Sequence, residues 1–259
     1  MRELPSMIWC EARKALRSRM PLWTGLASLF MPLGVGFLIF VARNPEVAER
    51  LGLISAKANL MAYSATDWPA YSSLLGQIIG LGGFFFFVLA LGWVFGREFA
   101  DGTLKDMLAV PVPRSSIVLA KFAVFAGWSL TMVAAGLIVG LGIGFLIGLP
   151  QISADAILQG STVVAVSASL AIAVVTPFAL FASIGRGYLL PVGAAVLTVM
   201  LTNLVSVAGW GEYFPWAVPA LFAMGKSVLT PISYWIVFLT GASGIIATIL
   251  WWTYADQSR

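Results

Sequence analysis

The side chains best suited to chemistry in this chain lie in one short segment, residues 96–121, between two apolar runs. That segment carries seven charged residues, which are Arg97, Glu98, Asp101, Lys105, Asp106, Arg114 and Lys121. The flanking segments, 68–96 and 122–154, contain no Asp, Glu, Lys or Arg. Carboxylates and cations placed together form charge-assisted hydrogen bonds with each other or with a partner. We therefore expect residues 96–121 to form a structured loop at one face of a membrane.

Catalysis by this chain is disfavoured because the necessary groups are missing from its sequence. It has no histidine and one cysteine, Cys10, which excludes His-based acid–base chemistry, most zinc sites and an intrachain disulfide. A membrane-embedded hydrolase would need a nucleophile with a base, yet the apolar runs contain Ser and Thr without Asp, Glu, Lys or His. The phosphate-binding pattern G-x-x-x-x-G-K-[ST] is also absent. We expect no catalytic residue, metal or cofactor in this chain, and any ATP must be hydrolysed by another polypeptide.

The elements that position the charged segment are predicted from composition. The chain is 60% hydrophobic and 10% charged, whereas soluble proteins are about 25% charged. Six charge-free runs are each long enough to cross a bilayer, which takes about 20 residues. We predict an all-α integral membrane protein, one transmembrane domain over residues 1–259, with six spans. The predicted spans are 21–41, 73–95, 122–149, 160–183, 189–209 and 231–253, with outer segments at 42–72 and 210–230.

The distribution of positive charge predicts the orientation of the spans rather than binding to nucleic acid. Eleven of the fifteen Lys and Arg residues fall in segments that would be cytoplasmic if the N-terminus is inside, and four in outer segments. The positive-inside rule then places both termini in the cytoplasm. Within residues 1–19, apolar residues at helical spacing predict an amphipathic helix in the membrane interface, where it contacts lipid. Its apolar face comprises Leu4, Ile8, Ala12, Ala15 and Leu16.

The charged segment itself predicts a short amphipathic helix across the ends of spans two and three. Thr103 and Asp106 have the spacing of a capping box, and Leu104, Met107 and Leu108 would share one face. Pro111 and Pro113 would end the helix near Val110, and Ser115 or Ser116 would cap the next one. Glu98 is expected to pair with Arg114 or Lys121. An ordinary loop without a partner remains the alternative.

These residues also carry a resemblance to a known family. Glu98-x-x-x-Gly102-Thr103-Leu104, Leu108, Pro111-x-Pro113-Arg114, Ile117 and Lys121 together resemble the first cytoplasmic loop of type-2 ABC (ATP-binding-cassette) transporter permeases. Met107 stands where a Leu is common, which leaves the apolar face intact. The resemblance implies that this loop is a coupling helix that contacts a separate ATPase. The implied coupling residues are Glu98, Asp101, Gly102, Thr103, Leu104, Met107, Leu108, Arg114 and Lys121.

The same resemblance implies an assembly and a location. The chain would be a six-span half-transporter in the bacterial inner membrane, with an N-terminal elbow helix. It would pair with a second copy or a sister permease above two ATPase subunits, which would bind Mg-ATP. The expected activity is ATP-driven export of a drug, an antimicrobial peptide or a lipid by alternating access. An ion-coupled carrier is the alternative, although such carriers place ionisable groups or broken helices at mid-membrane.

Polar and aromatic residues within the spans are candidates for a substrate path. Four consecutive phenylalanines, residues 84–87, would either pack or offer a flat surface to a hydrophobic substrate. Asn203 would either bond a neighbouring helix or line the path. The candidate path residues are Gln77, Phe84, Phe87, Thr202 and Asn203.

Two further patterns predict how spans are shaped and packed. In span three, Gly136, Gly140, Gly144 and Gly148 recur every four residues, and such a stripe lets helices approach closely. In span four, Thr176-Pro177 predicts a kink. A short helix is predicted within residues 216–224 and another across 45–58, where Asn44-Pro45 would begin it.

Overall fold

The structure is a computed structural model that describes residues 3–50, 52, 67–150, 152–225 and 228–255, without the side chains of residues 42, 45, 48, 80 and 81. This part of the chain is helical throughout, apart from turns and short connections. Its α-helices are α1 (Leu4–Arg17), α2 (Met20–Arg43), α3 (Pro45–Arg50), α4 (Trp68–Ala100), α5 (Leu104–Leu108), α6 (Arg114–Ile147), α7 (Ala154–Val175), α8 (Phe178–Ile184), α9 (Leu189–Val207), α10 (Val218–Ala223) and α11 (Pro231–Tyr254).

Six helical stretches in the described residues are long and apolar enough to cross a membrane. They are α2, α4, α6, the pair α7–α8, α9 and α11, and they match the six predicted spans. The prediction of an all-α protein with six spans is therefore confirmed. The orientation of its termini and the interfacial position of α1 stay predictions.

Spans two and three are longer than predicted, and the charged segment is correspondingly shorter. The α4 helix has 33 residues and α6 has 34, so each is about 50 Å long at 1.5 Å per residue. The Asp67 side chain accepts a hydrogen bond of 2.9 Å from the Ala70 amide and so caps α4 five residues before the predicted start. Glu98 and Lys121 consequently lie on the ends of these helices rather than in the loop between them.

The glycine stripe of α6 allows the close helix approach that its spacing predicts, and the helix that it meets is α4. A Cβ atom added to Gly140 would lie 2.9 Å from Leu75, and one added to Gly144 would lie 2.8 Å from Trp68. The Tyr71 hydroxyl donates a hydrogen bond of 2.6 Å to the Gly140 carbonyl. A side chain at either position would force the facing residue of α4 to shift, which glycine avoids.

Gly148, the last glycine of the predicted stripe, has a different role. Its φ of +66° is left-handed, and it ends α6 as the residue after Ile147. The prediction that it belongs to the packing stripe is wrong, since a helix commonly ends on a glycine in this conformation.

Span four breaks where Thr176-Pro177 predicts a kink. The α7 helix ends at Val175 and α8 begins at Phe178. The Thr176 hydroxyl donates a hydrogen bond of 2.8 Å to the Gly241 carbonyl of α11, which fixes the break against span six.

The two predicted outer helices have different outcomes. Within residues 216–224 the structure contains α10, whose Val218, Pro219, Ala220 and Ala223 are buried, and the Ser73 hydroxyl donates 2.6 Å to the Ala223 carbonyl. The other prediction is a helix across 45–58, and the structure contains its first part as α3, which ends at Arg50. Its remaining residues lie outside the described part of the chain, apart from Gly52.

Candidate functional site

Four charged side chains from three helices meet at the end of the bundle that carries α1 and α5. Lys121 of α6 lies 2.7 Å from Glu98 of α4 and 3.2 Å from Glu11 of α1, measured from Nζ to the nearer carboxylate oxygen. Lys14 of α1 lies 3.2 Å from Glu98 and also pairs with Glu11. We call these four residues the ion-pair cluster. They join segments that are up to 110 residues apart in sequence.

Three members of the ion-pair cluster are buried. The Lys121 side chain is 0% exposed, and those of Glu11 and Glu98 are each 5% exposed. Lys121 also donates a hydrogen bond of 2.8 Å to the Val94 carbonyl. Removal of one partner from a buried ion pair leaves an uncompensated charge and costs about 3–5 kcal/mol. Each buried member therefore depends on charged residues of the other helices to compensate its charge.

Lys14, the fourth member, is partly exposed and stays charged. Burial alone lowers its pKa, but the carboxylates of Glu11 and Glu98 outweigh burial and raise the pKa of Lys14 above its ordinary value. The cluster thus contains two carboxylates matched by two ammonium groups.

Of the two partners predicted for Glu98, which are Lys121 and Arg114, the structure confirms Lys121. Arg114 instead donates hydrogen bonds of 3.0 and 3.4 Å to the carbonyls of Trp252 and Thr253. Those carbonyls belong to the last turn of α11, where a helix has free acceptors. Arg114 therefore joins the start of α6 to the end of span six.

The α5 helix is amphipathic, as predicted. Leu104 is buried at 7% exposure, Met107 and Leu108 are half-buried, and Lys105 and Asp106 are exposed. The helix ends at Leu108, close to the predicted stop. Before it, Gly102 has a φ of +70° and Asp101 is exposed, so the chain turns sharply between α4 and α5.

Both predicted caps around α5 are wrong. Thr103 is the residue before α5, but its side chain makes no capping hydrogen bond. Its ψ of 2° differs from the extended conformation that a capping residue usually adopts. Ser115 and Ser116 do not cap α6, because that helix begins at Arg114, directly after Pro113. Pro113 occupies the capping position instead, and it provides no side-chain hydrogen bond there.

An open groove runs between α1 and α5. Its volume is about 480 Å³, and Met7 and Cys10 line it from α1 while Asp106, Met107 and Val110 line it from the α5 side. Val110 is 49% exposed. This α1–α5 groove combines apolar surface with charge next to the ion-pair cluster, as a surface that binds another protein does.

The candidate path residues of α4 lie in packed surroundings. Phe84 and Phe87 are 5% and 2% exposed. The Phe84 ring lies 5.5 Å from the Phe178 ring of α8 in an edge-to-face arrangement, which favours the packing interpretation of the phenylalanine block. Gln77 is half-buried and donates 3.2 Å to the Ser73 hydroxyl on its own helix.

The candidate path residues of α9 bond within their own helix. The Thr202 hydroxyl donates 2.7 Å to the Thr198 carbonyl, and the Asn203 amide donates 2.9 Å to the Val199 carbonyl. Within the described part of this chain, the Asn203 amide therefore bonds its own helix rather than a neighbouring one. Asn203 remains exposed, and its role in a substrate path stays a prediction.

Sequence reasoning missed Glu11 and Lys14 as members of the site. The available signal was weak: Glu11 is one of two acidic residues among the first nineteen, three positions before a lysine. Acidic and basic residues at that spacing face the same side of a helix. Among the described residues, no group of His, Cys, Asp and Glu could hold a metal ion.

Comparison with known proteins places this site in a family. The sequence model of the ABC-2 family transporter protein matches residues 7–203, which is more than half of the chain. The chain belongs to the ABC-2 transporter family. The matched region of this ABC-2 protein includes α5 and the whole ion-pair cluster.

A relative of known name supports the same assignment. The bacitracin transport permease protein BCRB of Bacillus licheniformis is 22% identical over 220 residues, which cover 83% of this chain and 97% of the relative. With six apolar helices, this ABC-2 protein is a multi-pass membrane permease, the membrane subunit of an ABC transporter. That class differs from the ion-coupled carrier and the hydrolase considered as alternatives.

Proposed function

We propose that this permease exports a hydrophobic or amphipathic substrate across the bacterial inner membrane, driven by a separate ATPase that binds at α5. The proposal rests on the way in which α5 packs against the bundle. Its Leu104 is buried against the bundle while Lys105 and Asp106 face outward. A helix held in this way offers a polar surface to a partner and passes force to the spans beneath it.

The spans attached to α5 are suited to carry that force. The α4 and α6 helices run without interruption from the α5 end to the opposite end. There, Trp68 and Tyr71 of α4 pack against Gly144 of α6. Closely packed helices move as units rather than deform, so a displacement at α5 would shift the far ends of spans two and three. Alternation of access to either side of the membrane would follow.

The proposed assembly contains two permeases and two ATPase subunits. The second permease would be another copy of this chain or a sister chain, and Mg-ATP would bind only on the ATPase subunits. The α9 helix leaves Leu197, Leu204 and Val207 exposed, so its apolar face is open to lipid or to that second permease.

The proposed substrate class follows from the apolar spans and from the relative. The relative is named for bacitracin transport. Bacitracin is therefore the first probe for this chain, and drugs and lipids are the other members of the proposed class. Gln77, Thr202 and Asn203 are the polar residues proposed for the path.

The test uses the permease purified from its native membrane together with any bound ATPase. Vanadate-sensitive ATP hydrolysis should copurify with the wild-type chain. Asp106→Arg and Val110→Asp alter exposed positions beside the groove and should lower the copurifying activity about tenfold or more, as the loss of central interface contacts does. Glu46→Arg, at an exposed position on α3, is the matched control and should retain the activity.

Two results would contradict the proposed function. One is wild-type permease that moves bacitracin in vesicles with an ion gradient and no ATP. The other is equal copurification of ATPase activity with the control and both groove variants, which would remove α5 from the contact.

A further inference from the structure

The α1 helix is joined to the lever formed by α4, α5 and α6 through two charged residues of opposite sign. Glu11 is the one buried residue of α1, and it faces Lys121 at 3.2 Å. Lys14 faces Glu98 at 3.2 Å. Each α1 side chain therefore contacts the lever residue of opposite charge.

The pair contributed by α1 is separable from the pair within the lever. Glu98 and Lys121 already bond to each other at 2.7 Å. Replacement of both Glu11 and Lys14 by neutral residues would leave this lever pair matched in charge. One further polar contact would remain between α1 and α4, in which Arg97 donates 3.5 Å to the Lys14 carbonyl.

If α1 only had to stay attached to the bundle, apolar packing would stabilise it at least as well as a buried ionic contact. Buried ion pairs often add little stability compared with apolar residues of similar volume, and their best-attested role is to fix register. The rest of α1 offers apolar surface, including Trp9 at 62% and Leu16 at 72% exposure, that could slide along lipid or along a helix. The Glu11 and Lys14 contacts permit one position of α1 on the lever.

We propose that Glu11 and Lys14 are positioning residues that make α1 move with α5 as one rigid body during the transport cycle. This inference rests on the proposed function, because the ATPase supplies the motion. The α1–α5 groove would keep its width in both conformations of the transporter, so the ATPase would grip one preformed surface rather than two separate helices.

The groove supplies a direct test, because its two walls can be cross-linked. Cys10 is exposed on α1, and Val110 lines the same groove from the α5 side. Val110→Cys keeps a small uncharged side chain on the groove wall, unlike Val110→Asp, so this parent variant should retain vanadate-sensitive ATP hydrolysis. In it, a short bifunctional thiol reagent would join the walls. The rate of cross-linking is measured in the ATP-free complex and in the complex trapped with ATP and vanadate.

The expected result is the same rate in both states, within about twofold, when Glu11 and Lys14 are intact. With Glu11→Gln and Lys14→Gln added, the two states should differ by about fivefold, within the usual range for loss of coupling. Glu3→Gln with Arg17→Gln neutralises one exposed acidic and one exposed basic residue, directly before α1 and at its last position, and should behave like the parent. Glu11→Asp with Lys14→Arg should do so too, because the charges are kept.

Several results would overturn the inference. They are a state-dependent rate with the cluster intact, a state-independent rate after neutralisation, or equal effects of the control and cluster pairs. If the doubly neutral variant does not fold, the measurement on the parent still tests the inference. Independent movement of α1 would appear there as a cross-linking rate that differs between the two states. Absence of vanadate-sensitive ATP hydrolysis from the complex of the unmodified chain would instead contradict the proposed function itself, and this inference with it.

Discussion

The charged end and the membrane-spanning interior of this permease join their helices with different kinds of contact. At the charged end, Glu11, Glu98 and Lys121 come from three helices and bond to one another. In the interior, Thr202 and Asn203 bond to carbonyls of their own helix. The interior relies on close packing, as where α6 glycines meet α4. Among the described residues, the ion pairs between helices therefore lie at the charged end, whereas packing and neutral hydrogen bonds, such as that from Thr176 to the Gly241 carbonyl, join the helices of the interior.

The largest effect is expected from breaking the ion-pair cluster at its centre. Lys121→Met removes the buried cation that faces both Glu11 and Glu98 and leaves excess negative charge in a buried site. We expect a loss of about 3–5 kcal/mol of stability. Thermal unfolding of the detergent-purified protein measures it, and Lys105→Met, at an exposed position of α5, should have little effect. Equal stability of the two variants would show that the cluster is not structural.

An intermediate effect is expected from disturbing the interior packing. Gly144→Val would push a side chain into Trp68, which lies 2.8 Å from an added Cβ atom, whereas Gly142 has nothing within 4 Å. Overpacking costs about 1–3 kcal/mol, so Gly144→Val should unfold at a lower temperature than Gly142→Val. If both variants unfold together, the close contact of α4 and α6 is not a determinant of stability.

The smallest effect on stability is expected from a substitution of Asn203, which should instead affect transport selectively. The side chain is exposed and bonds within α9, so Asn203→Leu should change stability by no more than about 0.5 kcal/mol. If Asn203 lines the proposed path, ATP-dependent bacitracin movement in vesicles should fall while vanadate-sensitive ATP hydrolysis continues. Unchanged bacitracin movement would remove Asn203 from the path.

Local patterns in the sequence predicted the features that depend on neighbouring residues. The six spans follow from runs of apolar residues, the α4–α6 seam from glycines four positions apart, and the break in span four from Thr176-Pro177. Each of these depends on residues within a few helical turns. Periodicity and backbone stereochemistry suffice for such features.

Features that depend on distant residues could not be predicted in the same way. Lys121 fits the loop pattern, but nothing near it in sequence indicates that Glu11, 110 residues away, would share its site. The sequence prediction ends span two at residue 95 and begins span three at residue 122, because it assigns the charged residues between them to a loop, whereas α4 ends at Ala100 and α6 begins at Arg114. Charged residues sustain a helix well, so both helices continued past the apolar runs.

Photo-cross-linking from position 106 tests the central claim most directly. A photoreactive amino acid replaces Asp106 on α5 in the native complex, and one at Glu46 on α3 serves as the control. We predict that position 106 cross-links to a polypeptide carrying the G-x-x-x-x-G-K-[ST] motif and that position 46 does not. Cross-linking of position 106 to lipid alone would contradict the assignment of α5 as the ATPase contact.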